Sequence, residues 1–336
     1  MKSRKYVMGL PLLCVLFAAL FIIGCAKLKE SKPIFPVKEY EKMLLGKITA
    51  NYVGNENCLK NCHTHDKLAL DFKSSTMGDQ LAQSSHGMQI VDCESCHGPG
   101  SDLMDAIQGL NVEKPQDYQK IVEAHNENLL DYDTLPAGAL SLICLKCHTA
   151  NATFNIHNWN ISSHAANEVS CSSCHPIHAG SDLITEPRAV AQLCLDCHVT
   201  VSAQFSLPSH HPVKEGKMYC SDCHDPHGSA NPANLKRMSQ KETCGRCHGD
   251  KVGPFLFEHG DITEECTNCH SQHGSVNNNL LKIKEAFLCK QCHTQHRISD
   301  DDLWDKSMSF TRCTDCHSMI HGSDNPGMNE GGAFTR

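Results

Sequence analysis

The feature that most limits what this chain can become is a two-cysteine motif closed by histidine, repeated ten times. It reads Cys-x-x-Cys-His at Cys93/Cys96/His97, Cys144/Cys147/His148, Cys171/Cys174/His175, Cys194/Cys197/His198, Cys220/Cys223/His224, Cys244/Cys247/His248, Cys266/Cys269/His270, Cys289/Cys292/His293 and Cys313/Cys316/His317. The first copy, Cys58-Leu-Lys-Asn-Cys62-His63, has one residue more between its cysteines. Paired cysteines alone would suit a disulfide framework or a run of zinc sites. Neither needs histidine directly after the second cysteine, and 23 histidines among 336 residues do not land there ten times by chance. The motif is the attachment site of a c-type haem, whose vinyl groups take the two thiols and whose iron takes the histidine. Ten covalently attached haem c groups are expected, with the Cys58/Cys62 copy departing from the usual spacing.

The rest of the composition agrees. The 40% hydrophobic fraction already contains 22 cysteines and an apolar N-terminus, and aromatic residues make up 6%, too little for an ordinary core at this length. The expected fold class is therefore a multihaem cytochrome c, mostly loops with short α-helices in an elongated haem wire with little or no β-sheet. The porphyrins would be its core, so folding requires them. The formal charge of −8 grows more negative with haem propionates, and no basic patch lies beyond the N-terminus, which excludes nucleic-acid binding.

Residues 1–24 read as a lipoprotein signal peptide. Lys2, Arg4 and Lys5 form a basic start, Val7 to Ile23 an apolar run, and Ile22-Ile23-Gly24-Cys25 a lipobox. A retained anchor is the competing reading, because the run of 17 residues approaches the lower limit for a spanning helix. Pro11 and the placement of the cysteine favour processing, which makes Cys25 the acylated first residue and removes Cys14. Ala26 follows where aspartate would signal retention in the inner membrane, so the expected location is the periplasmic side of the outer membrane of a Gram-negative bacterium. Residues 25–51 read as a lipid tether and a short helix carrying Val37, Tyr40, Leu44 and Ile48, and residues 52–336 as the decahaem domain.

From Cys171 onward the motifs start 22 to 26 residues apart, and alternate ones recur about every 48, at Cys171, Cys220, Cys266 and Cys313. This is a repeat of paired haems. One kind of unit carries a histidine shortly upstream: His86, His164, His211 and His259. Three of those also carry one just downstream, His178, His227 and His273, while His296 and His321 stand downstream of the last two motifs. The units at Cys144, Cys194 and Cys244 carry neither. Ser239 with Glu242 forms a capping box that predicts a brief helix into Cys244. Asp117 to Asp131 predicts a longer one, with Tyr118, Ile121, Val122, His125 and Leu129 on one face, and the remainder reads as loop.

Ten histidines are proximal, which leaves thirteen for ten second axial positions. Nine sit at the recurring offsets: His86, His164, His178, His211, His227, His259, His273, His296 and His321. The tenth has to come from His65, His125 or His157, and His125 is chosen for its place on the apolar face in the long gap before Cys144. A histidine so near a proximal one has to reach across to another haem. Iron closed by two imidazoles admits no substrate, so the chain is read as an electron carrier and not an enzyme. Two imidazoles also keep potentials lower than methionine would, and the 11 methionines recur at no fixed offset.

Non-ligand residues carry a resemblance. Cys93-Glu-Ser-Cys96-His97-Gly-Pro-Gly, Cys220-Ser-Asp-Cys223-His224-Asp-Pro-His227-Gly-Ser, Gly253-Pro-Phe-Leu-Phe-Glu-His259, His273-Gly-Ser-Val-Asn and the terminal His321-Gly-Ser resemble the MtrA/DmsE family of decahaem cytochromes from about Tyr52 to the C-terminus. The resemblance implies a wire of bis-histidine haems. In one branch it is sheathed by an outer-membrane β-barrel and passes electrons from periplasmic donor cytochromes to an outer-face multihaem cytochrome, and on to metal oxides or other extracellular acceptors. The other branch feeds a reductase. Three features depart from the family: the extra residue in the first motif, Gly100-Ser-Asp-Leu where the family often has a histidine, and the lipobox. Two further readings compete. A multihaem reductase often replaces one proximal histidine by lysine, whereas all ten motifs here end in histidine. A subunit of an extracellular haem filament would need histidines donated between subunits.

Overall fold

The computed structural model describes residues 49–63, 67–75, 77, 91–148, 156–178, 186–260, 264–293 and 312–325. The signal segment, Cys25, most of the tether with its short helix, and His65, His86 and His296 lie outside the described residues.

The fold is built outward from the motifs. In the seven copies from Cys171 onward, the N–H of the second cysteine and the N–H of the histidine both donate to the carbonyl of the first cysteine, at 3.2–3.3 and 2.8–3.0 Å. Each motif is thus a closed turn before any long-range contact forms. Two kinds of unit alternate around these turns. The motifs at Cys58, Cys144, Cys194, Cys244 and Cys289 close α-helices: Asn55–Asn61, Ala137–His148, Pro187–Leu195, Gln240–Gly245 and Glu285–Cys289. Those at Cys171, Cys220, Cys266 and Cys313 open on three-residue 3-10 turns, and Cys93–His97 is a short α-helix.

Local chemistry explains most of these starts. Ser239 Oγ accepts from the Glu242 N–H at 3.1 Å, as its capping pattern predicts. The predicted longer helix runs Pro115–Asn128, its start fixed by proline in the first turn, but none of its residues is buried. The helices Ala137–His148 and Pro187–Leu195 occupy stretches expected to be loop. The first is apolar on most sides and has no polar face to give a 3.6-residue signal; it buries Ala139, Ser141 and Ile143. The second opens on Pro187 and is amphipathic, burying Ala191 and Leu195.

Sheet is confined to two pairs of two-residue strands. β1 (Ser209–His210) pairs antiparallel with β3 (Gly274–Ser275), in register Ser209 to Ser275. β2 (Phe257–Glu258) pairs antiparallel with β4 (Gly322–Ser323), in register Phe257 to Ser323. Gly274 admits no side chain, since a Cβ there would collide with the Gln204 carbonyl.

Apolar burial is sparse. Leu135, Ala139 and Ile143 form one small cluster, and Ala191, Leu195, Phe205 and Val213 another. Beyond these, the buried hydrophobics among the described residues are Leu103, Trp159 and Ala286, while Leu70, Ile161, Val199, Leu256 and Val276 are exposed. Among the described residues no helix is long and apolar enough to cross a membrane.

Polar side chains instead tie three of the five helical units to the turn that follows them. Asn55 Oδ1 accepts from the Cys93 N–H at 2.8 Å, Gln240 Oε1 from Thr267 N–H at 2.9 Å, and Glu285 Oε1 from Thr314 N–H at 2.6 Å. Glu94 is the most buried of these clamps, at 3% exposure, and its carboxylate accepts from Val53, Gly54 and Gly100 N–H at 2.8–2.9 Å. Glu94→Ala leaves one buried donor, the Gly100 N–H, and two half-buried ones, the Val53 and Gly54 N–H, without an acceptor, the buried one alone worth about 1–3 kcal/mol. Hydrogen exchange is expected to show lost protection over residues 51–63 with residues 205–280 unchanged; equal protection throughout would show that the clamp is dispensable.

Candidate metal centres

The motifs follow one another in space in chain order. Side-chain hydrogen bonds join the first cysteines in successive pairs: Cys58 with Cys93, Cys144 with Cys171, Cys194 with Cys220, Cys244 with Cys266, and Cys289 with Cys313. The shared hydrogen bond brings the Cys171, Cys220 and Cys266 thiols down to about 7 and pushes their partners up. The second cysteine of each later member then faces the next motif: Cys96 lies near Cys147, Cys174 near Cys197, Cys223 near Cys247, and Cys269 near Cys292.

Cys316 differs in exposure from its counterparts in that pattern. Its counterparts Cys174, Cys223 and Cys269 are half-buried, whereas Cys316 is exposed. Each of those three counterparts has the second cysteine of the following motif near it: Cys197, Cys247 and Cys292. Its local turn is nonetheless the ordinary one, with Cys316 N–H donating to the Cys313 carbonyl at 3.2 Å. None of the twenty described cysteines is in a disulfide. Among the described residues no cluster of three His, Cys, Asp or Glu side chains is placed to hold a metal ion.

The imidazoles come in facing pairs. Ring centroids are 6.3 Å apart for His97 and His178, 6.2 Å for His175 and His227, 6.1 Å for His198 and His164, and 6.2 Å for His224 and His273. They are 6.2 Å apart for His248 and His211, 6.2 Å for His270 and His321, and 5.9 Å for His293 and His259. A histidine nitrogen binds a metal at about 2.0 Å and lies about 1.1 Å from its own ring centroid, so two imidazoles facing one metal have centroids about 6.2 Å apart. Every one of the seven pairs therefore fits a single iron between its rings.

Sequence comparison relates the chain to known families. Residues 210–253 and 259–298 match the family model of the doubled CXXCH motif, and residues 110–176 match that of cytochrome c554 and c-prime. Over 287 residues the chain is 34% identical to multihaem cytochrome MtrA of Shewanella baltica (strain OS185), spanning 81% of this chain and 79% of that protein. The chain belongs to the MtrA family of multihaem cytochromes. An MtrA-family chain binds haem c covalently through its cysteine pairs and transfers electrons; haem c supplies a one-electron couple at each iron.

In this MtrA-family chain the pairing follows a rule. A downstream histidine reaches back to the proximal histidine two motifs earlier: His178 to His97, His227 to His175, His273 to His224 and His321 to His270. An upstream histidine reaches forward past its own motif to the next: His164 to His198, His211 to His248 and His259 to His293. Seven of the expected second ligands are thus brought to proximal rings. His125 is close enough to His97 to act on it electrostatically, as is His63. His157 is exposed. His210, the neighbour of His211, faces elsewhere, with Nδ1 on the Leu207 carbonyl at 2.6 Å and Nε2 on Glu215 at 3.1 Å.

Hydrogen bonds orient the rings. His164 Nδ1 donates to the Pro226 carbonyl at 2.8 Å and His211 Nδ1 to the Gln272 carbonyl at 2.7 Å, while the His259 ring bonds the main chain of Ile320. Each acceptor is the residue before a downstream histidine, so forward-reaching and back-reaching rings are laced side by side. The β1–β3 and β2–β4 pairs hold two of these junctions. On the proximal side, His224 Nδ1 donates to Ala233 and His270 Nδ1 to Asn279, at 2.8 and 2.7 Å. Those carbonyls are presented from turns in which Ala233 and Asn279 are held at φ 53° and 56°, a conformation disfavoured for such residues and repeated at both sites. With the proton fixed on Nδ1, Nε2 is left as the ligand. Burial also favours the neutral, ligating imidazole: it pushes His97 down to about 4, with His178, His125 and His63 adding to the effect, and lowers His227, His259, His273 and His321.

The first motif absorbs its extra residue. Cys62 N–H and His63 N–H both donate to the Cys58 carbonyl, at 3.2 and 3.0 Å, the same pair of bonds the ordinary motifs make. The added residue widens the turn and leaves the histidine in its usual relation to the first cysteine. Sequence reasoning missed Tyr132, whose ring lies 4.9 Å from His97 and whose hydroxyl donates to the Cys96 carbonyl at 2.9 Å, and Gln204, which bonds His273. Neither has a motif-linked offset that could have revealed it.

Proposed function

We propose that this MtrA-family cytochrome is an electron conduit of ten haems, each iron held by two histidines, that carries electrons across or up to the outer membrane from periplasmic donor cytochromes to extracellular acceptors. The observation that carries this reading is the set of seven imidazole pairs at 5.9–6.3 Å along motifs that succeed one another in chain order. An iron closed on both faces exchanges electrons and has no position for substrate, which favours a carrier over a reductase.

The ligands would be His97 with His178, His175 with His227, His198 with His164, His224 with His273, His248 with His211, His270 with His321 and His293 with His259. The forward-reaching rule assigns His86 to the iron of His148, leaving His125 and His296 for those of His63 and His317. The partners would be those implied by the resemblance: a β-barrel sheath, an outer-face multihaem cytochrome and periplasmic donors. Cys25, acylated, would tether the chain to the periplasmic side of the outer membrane.

Two measurements test this. Intact mass is expected to equal the chain from Cys25 with its acyl groups and ten haems; nine haems would remove the first motif, and a missing acyl mass would remove the tether. In proteoliposomes holding the protein with its barrel, reductant on one side is expected to reduce a dye on the other, and an inert complex would end the conduit reading.

A further inference from the structure

His273 is held differently from four other paired rings. His164, His211, His224 and His270 donate from Nδ1 to main-chain carbonyls. His273 donates instead to a side chain, Gln204 Oε1, at 3.0 Å. Gln204 ends the helix Val199–Gln204 that follows His198, so the segment leaving one motif steers a ring facing the next motif's proximal histidine. The contact is tightly framed. The Gly274 backbone lies flush on the Gln204 carbonyl, and the ring of buried Phe205 stands 5.4 Å from that of His273 at 52°. The β1–β3 pair fixes the strand that carries Gly274.

A side-chain acceptor at this place has a chemical consequence that a peptide carbonyl lacks: it can differ in charge. A carboxylate bonded to the distal N–H would draw the proton away and give the imidazole anionic character, stabilising ferric iron and lowering the potential. An apolar side chain would remove the acceptor, leave the imidazole less basic and raise the potential. The amide lies between these limits.

We propose that Gln204 is a positioning residue that fixes the plane and basicity of His273 and so sets the potential of the iron at the Cys220/Cys223 motif. The inference rests on the reading that His224 and His273 share that iron. The test uses the full-length haem-loaded protein, with spectroelectrochemical titration and electron paramagnetic resonance. His273→Ala is expected to convert one haem to high spin; unchanged low-spin spectra would mean that the ligand assignment is wrong. Given that conversion, Gln204→Glu is expected to move one midpoint downward and Gln204→Leu to move the same one upward, with all haems low-spin in the glutamate variant. The moved wave should be the one altered in His273→Ala. Unmoved midpoints in both Gln204 variants, or a high-spin haem in Gln204→Glu, would overturn the inference while leaving the conduit reading in place.

Discussion

Produced in the cytoplasm, away from haem attachment, the chain is expected to show little far-UV helical signal and no cooperative melt. The reason is what the polypeptide buries on its own. Its two apolar clusters hold three and four fully buried residues. The helices closing on the motifs run from Glu285–Cys289, 5 residues, to Ala137–His148, 12 residues, and helices shorter than about 12–15 residues are marginal without packing partners. The strand pairs are two residues long. Facing imidazoles also attract one another little until a metal joins them, so each long-range pairing depends on the iron. Native helix content with a sharp melt in the haem-free chain would show that the two clusters suffice as a core.

The second large effect concerns a single side chain. His227→Ala is expected to turn one low-spin haem into a high-spin one, and the opened iron is that of the Cys171/Cys174 motif, not of Cys220/Cys223 beside which His227 stands in sequence. The two rings concerned are 6.2 Å apart and nearly parallel, at 18°. Adding Cys171→Ala and Cys174→Ala should erase the high-spin signal, and adding Cys220→Ala and Cys223→Ala should not. The opposite result would break the back-reaching rule. Losing a ligand should slow transfer through that step at least as much as losing an orienting partner, on the order of 10–100-fold, measured as dye reduction in the liposome assay.

What could be read from the sequence was whatever closes locally. The motifs, their two alternating kinds and the Ser239 cap all depend on hydrogen bonds within a turn, so residue order specifies them. The partners of the second histidines were not legible, because the rings that meet lie 34 to 81 residues apart in sequence. His321 shows why spacing was a poor guide: it follows His317 by four residues where His227 and His273 follow their proximal histidines by three, yet it faces His270 as they face theirs. Its place is governed by the pairing of Gly322–Ser323 with Phe257–Glu258, and two-residue strands leave no periodicity to detect. The exposure of Cys316 was equally hidden, because its motif reads like the others and differs only in what packs beside it. The helix Ala137–His148 escaped notice because it is apolar around much of its surface.

The lacing of forward and backward histidines bears on how such a chain can change length. The proximal ring of each motif from Cys171 to Cys266 that opens on a 3-10 turn faces a histidine one full repeat later, and that of each helical motif from Cys194 to Cys289 faces a histidine shortly before the motif preceding it. Excising residues 220–265 removes two motifs together with His227 and His259, and leaves His273 to face His175 and His211 to face His293 in the relations already present. Excising one motif alone leaves one proximal ring or one donor stranded. On this pairing a change of two neighbouring motifs keeps every ring partnered, whereas a change of one does not.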